Sequence, residues 1–294
     1  MAGNRIGIHA GVWGFDWSPA AAERAIAGAA TAGFDLIEIP AIDRDQLDAS
    51  DTKRLLARHG MDSVVSLALR FDDDINTTDD ACSARGEHRL EEAVAFATDI
   101  GAPFVGGVIY SAMGRYTRPG TAAERDNALA VLGRIAARAA RDGITLGIEY
   151  VNRYESNLLN TAAQAVSFIE DLGADNVVLH LDTFHAHVEE VDVMAPFAVA
   201  GDRLGYIHAS ESHRGRLGTG AIDWPRLMRT LIGSGYAGAI TVETFSSAVL
   251  APGQAADIGL WRTLWTDPTA IAADSNSFLR SQLAAASATV ALAA

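Results

Sequence analysis

With 294 residues, 49% hydrophobic and 20% charged, the chain has material for one large α/β domain or two ordinary ones. Its net charge of −14 argues against a nucleic-acid partner, whose phosphates must be neutralised by Lys and Arg, and against docking on an anionic membrane. A single cysteine, Cys82, excludes an intramolecular disulfide and gives no sign of an oxidising compartment.

The first predicted strand covers residues 5–13, and its breaks at Trp13, Asp16 and Pro19 do not read as a signal peptide. Ser18-Pro19 then opens a helix, as an N-cap followed by proline in the first turn. That helix stops at Gly33 and a second strand follows over 34–39. The unit recurs: helices stop at Gly60, Gly101, Gly143, Gly173, Gly201 and Gly235. The strands after them span 63–69, 104–109, 144–149, 177–182, 204–208 and 239–243, which makes eight in all. The Ala-rich tail 283–294 is too short to span a bilayer and reads as a frayed helix end or a packing arm, and a cytoplasmic location is the expectation.

Strands that alternate with helices imply parallel βαβ units, because a parallel connection needs a crossover. Strands covered on both faces read as near-continuous apolar runs, as these do. Eight such units in this length predict a (β/α)₈ TIM barrel, an α/β fold of eight parallel strands in a single domain over 1–294. The competitor is a doubly wound open sheet, which the missing Gly-rich fingerprint after the first strand weakens.

Polar residues end four consecutive predicted strands: Glu149, Asp182, His208 and Glu243. They are spaced by about one βα unit each, so a barrel brings them together on one side of its C-terminal mouth. Taken singly, a strand-end Glu reads as solvated or capping and a strand-end His as structural. Taken together, three carboxylates in a dry pocket repel and raise one another's pKa, and a divalent cation removes the conflict. Three oxygen ligands and one imidazole suit Mn²⁺, Mg²⁺ or Co²⁺.

The segments Glu149-Tyr150-Val151-Asn152-Arg153-Tyr154-Glu155, Leu181-Asp182-Thr183-Phe184-His185, His208-Ala209-Ser210-Glu211-Ser212-His213-Arg214 and Glu243-Thr244-Phe245 resemble the ketose 3-epimerases of the xylose-isomerase-like sugar isomerase barrels. These act on D-tagatose, D-allulose (psicose) or L-ribulose. The resemblance extends to 108–113 and 259–265. It implies that Glu149, Asp182, His208 and Glu243 are the metal ligands, with Mn²⁺ the first expectation and Co²⁺ or Mg²⁺ the alternatives. It makes Glu149 and Glu243 the acid/base pair as well, and matches Glu155, His185 and Arg214 to positions that contact the sugar. The carbonyl at C2 of a ketose acidifies the C3 proton, and a Lewis acid stabilises the enediolate. One carboxylate then removes the proton and the other returns one on the opposite face. Which is base depends on the sugar's configuration. Ser210 stands where many members of the family have Gly, which leaves sugar preference open.

His9 ends the first strand facing the mouth, where it either meets the sugar or packs. His180 shares a strand face with Asp182, and Glu38 in the second strand is read as support for the site. His185 is expected on the loop leaving its strand, and His187 and His213 as loop histidines. Asp72, Asp73, Asp74, Asp79 and Asp80 lack EF-hand spacing and read as a solvated loop. Trp261 and Trp265 read as a packing stripe on one helix face, close to subunit contacts in related enzymes. A small-molecule ketose and a homodimer or homotetramer are the expected partners. The rivals are an aldose–ketose isomerase on the same barrel, a DNA-repair endonuclease disfavoured by charge, and a non-catalytic sugar-binding protein.

Overall fold

The apolar runs form strands, and each strand hydrogen-bonds in parallel to the next in chain order. They are β1 (Ile6–His9), β2 (Leu36–Pro40), β3 (Asp62–Leu69), β4 (Phe104–Ala112), β5 (Thr145–Glu149), β6 (Val177–Asp182), β7 (Leu204–Ala209) and β8 (Ile240–Val242). β8 pairs back to β1, so the sheet is a closed eight-stranded barrel with no free edge. These elements belong to a computed structural model that describes residues 4–41 and 46–293.

Helices return the chain between strands: α1 (Pro19–Thr31), α2 (Ala49–His59), α3 (Asp80–Ile100), α4 (Ala122–Arg141), α5 (Ala162–Leu172), α6 (Thr183–Glu189), α7 (Ala195–Ala200), α8 (Trp224–Gly233), α9 (Pro252–Asp257) and α10 (Pro268–Ala293). Their starts are set by side chains that satisfy orphan amides. Thr121 with Glu124 and Thr161 with Gln164 make capping boxes on α4 and α5, and Asp48, Asp79 and Asp223 cap α2, α3 and α8. No helix among the described residues is long and apolar enough to cross a membrane.

Alternate strand residues face the barrel axis. Leu36, Val64, Phe104 and Tyr206 form a small buried cluster distinct from the main core. Phe104 takes the room left by Gly106 and Gly147, where an added Cβ would stand 2.6 and 2.3 Å from its ring. This apolar layer closes the bottom of the barrel, and polar side chains begin directly above it. β3 and β4 lose register after Ala68, where Leu69 pairs with Ala112. Gly107, next to this slip, has φ +106°, and a Cβ there would lie 2.3 Å from the Leu67 carbonyl oxygen.

Several sequence expectations change. β1 is shorter than read, because Ala10–Val12 coil into a 3₁₀ turn in which His9 Nδ1 accepts from Gly11 N. Ser18 does not cap α1; its hydroxyl bonds Asp16 instead. Trp261 and Trp265 share no helix face: Gly259 at φ +63° follows the end of α9, and Asp267 starts α10 by accepting from Thr269 N and Ala270 N. Trp261 is 80% exposed, whereas Trp265 is half-buried and donates to Thr244 Oγ1.

The aspartate run is solvated only in part: Asp72, Asp79 and Asp80 are exposed as expected. Asp73 and Asp74 are buried, Asp74 accepting from Asn76 N, Ala112 N and the Tyr116 hydroxyl, and Asp73 pairing with Arg89. His185 and His187 lie in α6 rather than in a loop. The tail continues α10, in which Leu279 and Ala286 are buried; Ala294 lies outside the described residues.

Candidate active site

The C-terminal ends of the strands carry a cleft lined by polar groups together with Phe15, Leu67, Val108, Met113, Phe245 and Ile258. Glu149 is the last residue of β5, Asp182 the last of β6, and His208 lies on β7. Glu243 falls one residue beyond β8, held by its amide on the Ala209 carbonyl. One ligand atom from each of these four buried side chains lies within 4.8 Å of the others.

The carboxylates are aimed rather than merely gathered. Asp182 Oδ1 caps α6 by accepting from Phe184 N at 2.7 Å, which leaves Oδ2 toward the site. Glu243 Oε2 accepts from Arg214 Nη2 at 2.8 Å and from the Ser210 hydroxyl at 3.2 Å. Its Oε1 stands 3.5 Å from His208 Nδ1, and Glu149 Oε1 stands 3.3 Å from the same nitrogen on its own side. Below, His208 Nε2 meets Glu38 Oε2 at 2.7 Å.

Burial drives the charge states. It raises the Asp182 carboxyl to about 7, aided by Glu243 and opposed by Arg214. It also raises Glu149 and Glu155 above the ordinary carboxylate range. Burial lowers His9 to about 4 and His185 well below the usual imidazole value. At His208 burial acts downward too, but Glu38, Glu243 and Glu149 outweigh it and hold the ring well above its ordinary value. The local field therefore favours positive charge at this point.

That field, the oxygen-rich donor set and the His208 Nδ1 atom, which has no hydrogen-bond partner, fit a hard or borderline divalent cation. Glu149, Asp182, His208 and Glu243 are the residues that could hold it.

The other predicted residues converge on the same cleft. His9, Glu155, His185 and Arg214 all line it. Asn152, quoted in the sequence motif but given no part, organises two of them: its amides donate to His185 Nδ1 at 3.1 and 3.0 Å, and its Nδ2 donates to Glu155 Oε1 at 2.8 Å. His185 Nε2, on the other side of the ring, lies 3.0 Å from Arg214 Nη2, which can only donate. Glu155 Oε2 is buried and accepts no hydrogen bond. His180, by contrast, makes no hydrogen bond to Asp182; its Nδ1 is 3.8 Å from Glu149 Oε2, and both ring nitrogens lack partners.

Arg214 reaches the cleft from a loop built around Glu211, in a left-handed conformation with φ +58°. Ser210, noted in the sequence for replacing a family glycine, and Phe245, quoted in a motif without a part, contribute as well. Phe15, which packs against Phe245, left no signal in the sequence.

Comparison with known proteins gives concordant matches. The xylose isomerase-like TIM barrel family matches residues 26–282. Ketose 3-epimerase of Arthrobacter globiformis is 40% identical over 281 residues, covering 96% of this chain and 97% of that protein. L-ribulose 3-epimerase of a Methylomonas strain is 41% identical over 274 residues, 93% of this chain and 96% of that one. A crystal structure of D-allulose 3-epimerase from Methylomonas with D-allulose superposes with a TM-score of 0.93 at 40% identity, covering 96% of this chain and 98% of that chain.

Proposed function

Starting from a chain that belongs to the xylose isomerase-like TIM barrels and is an isomerase of their ketose 3-epimerase group, we propose that it inverts C3 of a free ketose with the help of a divalent cation. The candidate substrates are pairs of the D-allulose/D-fructose, D-tagatose/D-sorbose and L-ribulose/L-xylulose type. The observation that carries the reading is the convergence of Glu149, from β5, and Glu243, from just beyond β8, on one point, 3.3 and 3.5 Å from His208 Nδ1. Epimerisation through a planar carbon needs two proton-transfer groups on opposite faces, and a mere binding site does not.

In this reading Glu149, Asp182, His208 and Glu243 hold the cation, Mn²⁺ first and Co²⁺ or Mg²⁺ as alternatives. Bound there, it supplies Lewis-acid polarisation of the ketose carbonyl. The protein's own groups do the rest. One of Glu149 and Glu243 takes the C3 proton and the other delivers a proton from the opposite face. Burial raises the Glu149 carboxyl above its ordinary value, a shift in the direction that suits a proton-transfer group. Arg214 and Ser210 keep Glu243 Oε2 engaged and so fix the direction of its free oxygen. Arg214 offers donors to sugar oxygens with His185 beside it, and the unpartnered Glu155 Oε2 accepts from a hydroxyl. His9 borders the same space, and the apolar wall shields the reacting face from water.

The chain is read as one domain acting in the cytoplasm as a homodimer or homotetramer, which sedimentation at micromolar concentration tests. The deciding experiment for function is chromatography of D-fructose, D-allulose, D-tagatose and L-ribulose after incubation with and without Mn²⁺. Metal-dependent C3 epimers support the reading. Aldose products would replace it by an aldose–ketose isomerase, and tight binding without conversion by a sugar-binding protein.

A further inference from the structure

Glu38 is fully buried on β2 and borders the cleft, yet it is not one of the four converging ligands. It sits at the end of a chain of donors from two other strands. His208 Nε2 reaches its Oε2 at 2.7 Å, and the Tyr206 hydroxyl donates to the same oxygen at 2.8 Å. Because the Tyr206 proton is directed to Glu38, the Thr241 hydroxyl is left to donate to Tyr206. Tyr206 is itself clamped by the Phe104 ring, whose centroid is 4.6 Å away. The remaining Glu38 oxygen has no hydrogen-bond partner, with His9 Nε2 at 3.8 Å too distant to supply one.

A neutral imidazole has one N–H and one lone pair, and the bond made by one nitrogen decides which of them is free to bind a metal. From this geometry we infer that Glu38 is a positioning residue for the metal centre. By accepting from His208 Nε2 it fixes the Nε2–H tautomer, turns the Nδ1 lone pair toward Glu149, Asp182 and Glu243, and makes that nitrogen a more basic ligand. The inference rests on the metal reading above. The sharing of Glu38 Oε2 between His208 and Tyr206 is what distinguishes it from a carboxylate buried for packing: the Tyr206 bond holds the oxygen that His208 Nε2 meets.

The test uses full-length protein stripped of metal. Mn²⁺ binding is measured by calorimetry for wild type, Glu38→Gln, Glu38→Met and Tyr206→Phe. The His208 tautomer is read from ¹⁵N–¹H spectra of the diamagnetic Mg²⁺-loaded protein. The expected result is an Nε2–H signature in wild type and Mn²⁺ affinity about 10–100-fold weaker in Glu38→Met. Glu38→Gln keeps an acceptor oxygen but not the charge, so it retains the tautomer while weakening affinity by about tenfold. Tyr206→Phe loosens Glu38 and gives a smaller loss. Wild-type affinity in a folded Glu38→Met variant, or an Nδ1–H signature in wild type, overturns the inference and leaves the metal site standing. If Glu38→Met does not fold, Glu38→Gln decides: unchanged affinity overturns the inference. Absence of Mn²⁺ binding in wild type overturns the metal reading and this inference together.

Discussion

The loop that delivers Arg214 is organised by one buried carboxylate, and neutralising it should release the loop. Glu211 is 0% exposed. Its Oε1 accepts from Ser212 N at 2.9 Å and Ile222 N at 3.3 Å; its Oε2 accepts from Gly218 N and Trp224 Nε1, both at 2.8 Å. Burial works against ionisation, but the Trp224 indole and the three amides outweigh it and hold the carboxyl below its ordinary range. In Glu211→Gln whichever oxygen becomes the amide nitrogen leaves two donors facing a donor. Hydrogen bonds to a charged group contribute about 1.5–3 kcal/mol each, so two sum to about 3–6 kcal/mol. The loop amides regain water when the segment opens, which places the expected loss near the low end, about 3 kcal/mol. Such a loss corresponds to roughly 100-fold faster amide hydrogen exchange over residues 211–224. Exchange mass spectrometry of wild type and variant, with the barrel strands as internal reference, makes the measurement. Exchange in that segment within about threefold of wild type would refute the reasoning, since the bonds would then contribute almost nothing.

Glu149→Gln and Glu243→Gln should each keep the fold and lower turnover by about 10²–10⁴-fold, as expected for removal of a proton-transfer group. For a given epimer one of the two variants should still exchange the C3 proton with solvent deuterium without inversion, and turnover near wild type in either would sink the acid/base pair. Chelation followed by dialysis should abolish activity, with Mn²⁺ or Co²⁺ restoring it; full activity in a verified metal-free sample would count against the cation. The Arg118 hydrogen bond lowers the Glu124 carboxyl to about 2, so this group stabilises the fold above its ordinary value of 4.5 and ceases to as pH falls toward 2. Glu124→Gln retains the capping box but not the ion pair. Its melting temperature should therefore lie below wild type at pH 7, and the gap should close across that acid window.

The order of strands and helices was legible because each parallel strand is covered on both faces and each crossover ends on a glycine. Strand-end polarity made Glu149, Asp182, His208 and Glu243 visible for the same reason: each stands at the end of a largely apolar run. What escaped depends on where loops go. Asp73 and Asp74 read as solvated because their partners, Arg89, Tyr116 and the Ala112 amide, lie elsewhere in the chain and meet them only after the barrel closes. The spacing of Trp261 and Trp265 matched a helix, but Gly259 and Pro268 bracket the segment, and the breakers prevail over the period. Asn152 was passed over since an asparagine after a strand is ordinary. Its amide matters only once α6 has brought His185 beside it.

Asp182 joins two things that a designer would want to vary separately. The same side chain that faces the candidate metal centre starts α6, and α6 carries His185 one turn later. A replacement at 182 that cannot cap therefore frays the helix that carries His185 while it alters the candidate metal centre. Attempts to retune sugar preference by selection have little freedom on the β6–α6 corner, where one change counts twice. Phe15, Met113 and Ile258 border the cleft without belonging to the four converging residues, and each sits on a different connection around the rim. Libraries confined to those three positions would vary the cleft wall while leaving Glu149 and Glu243 in place.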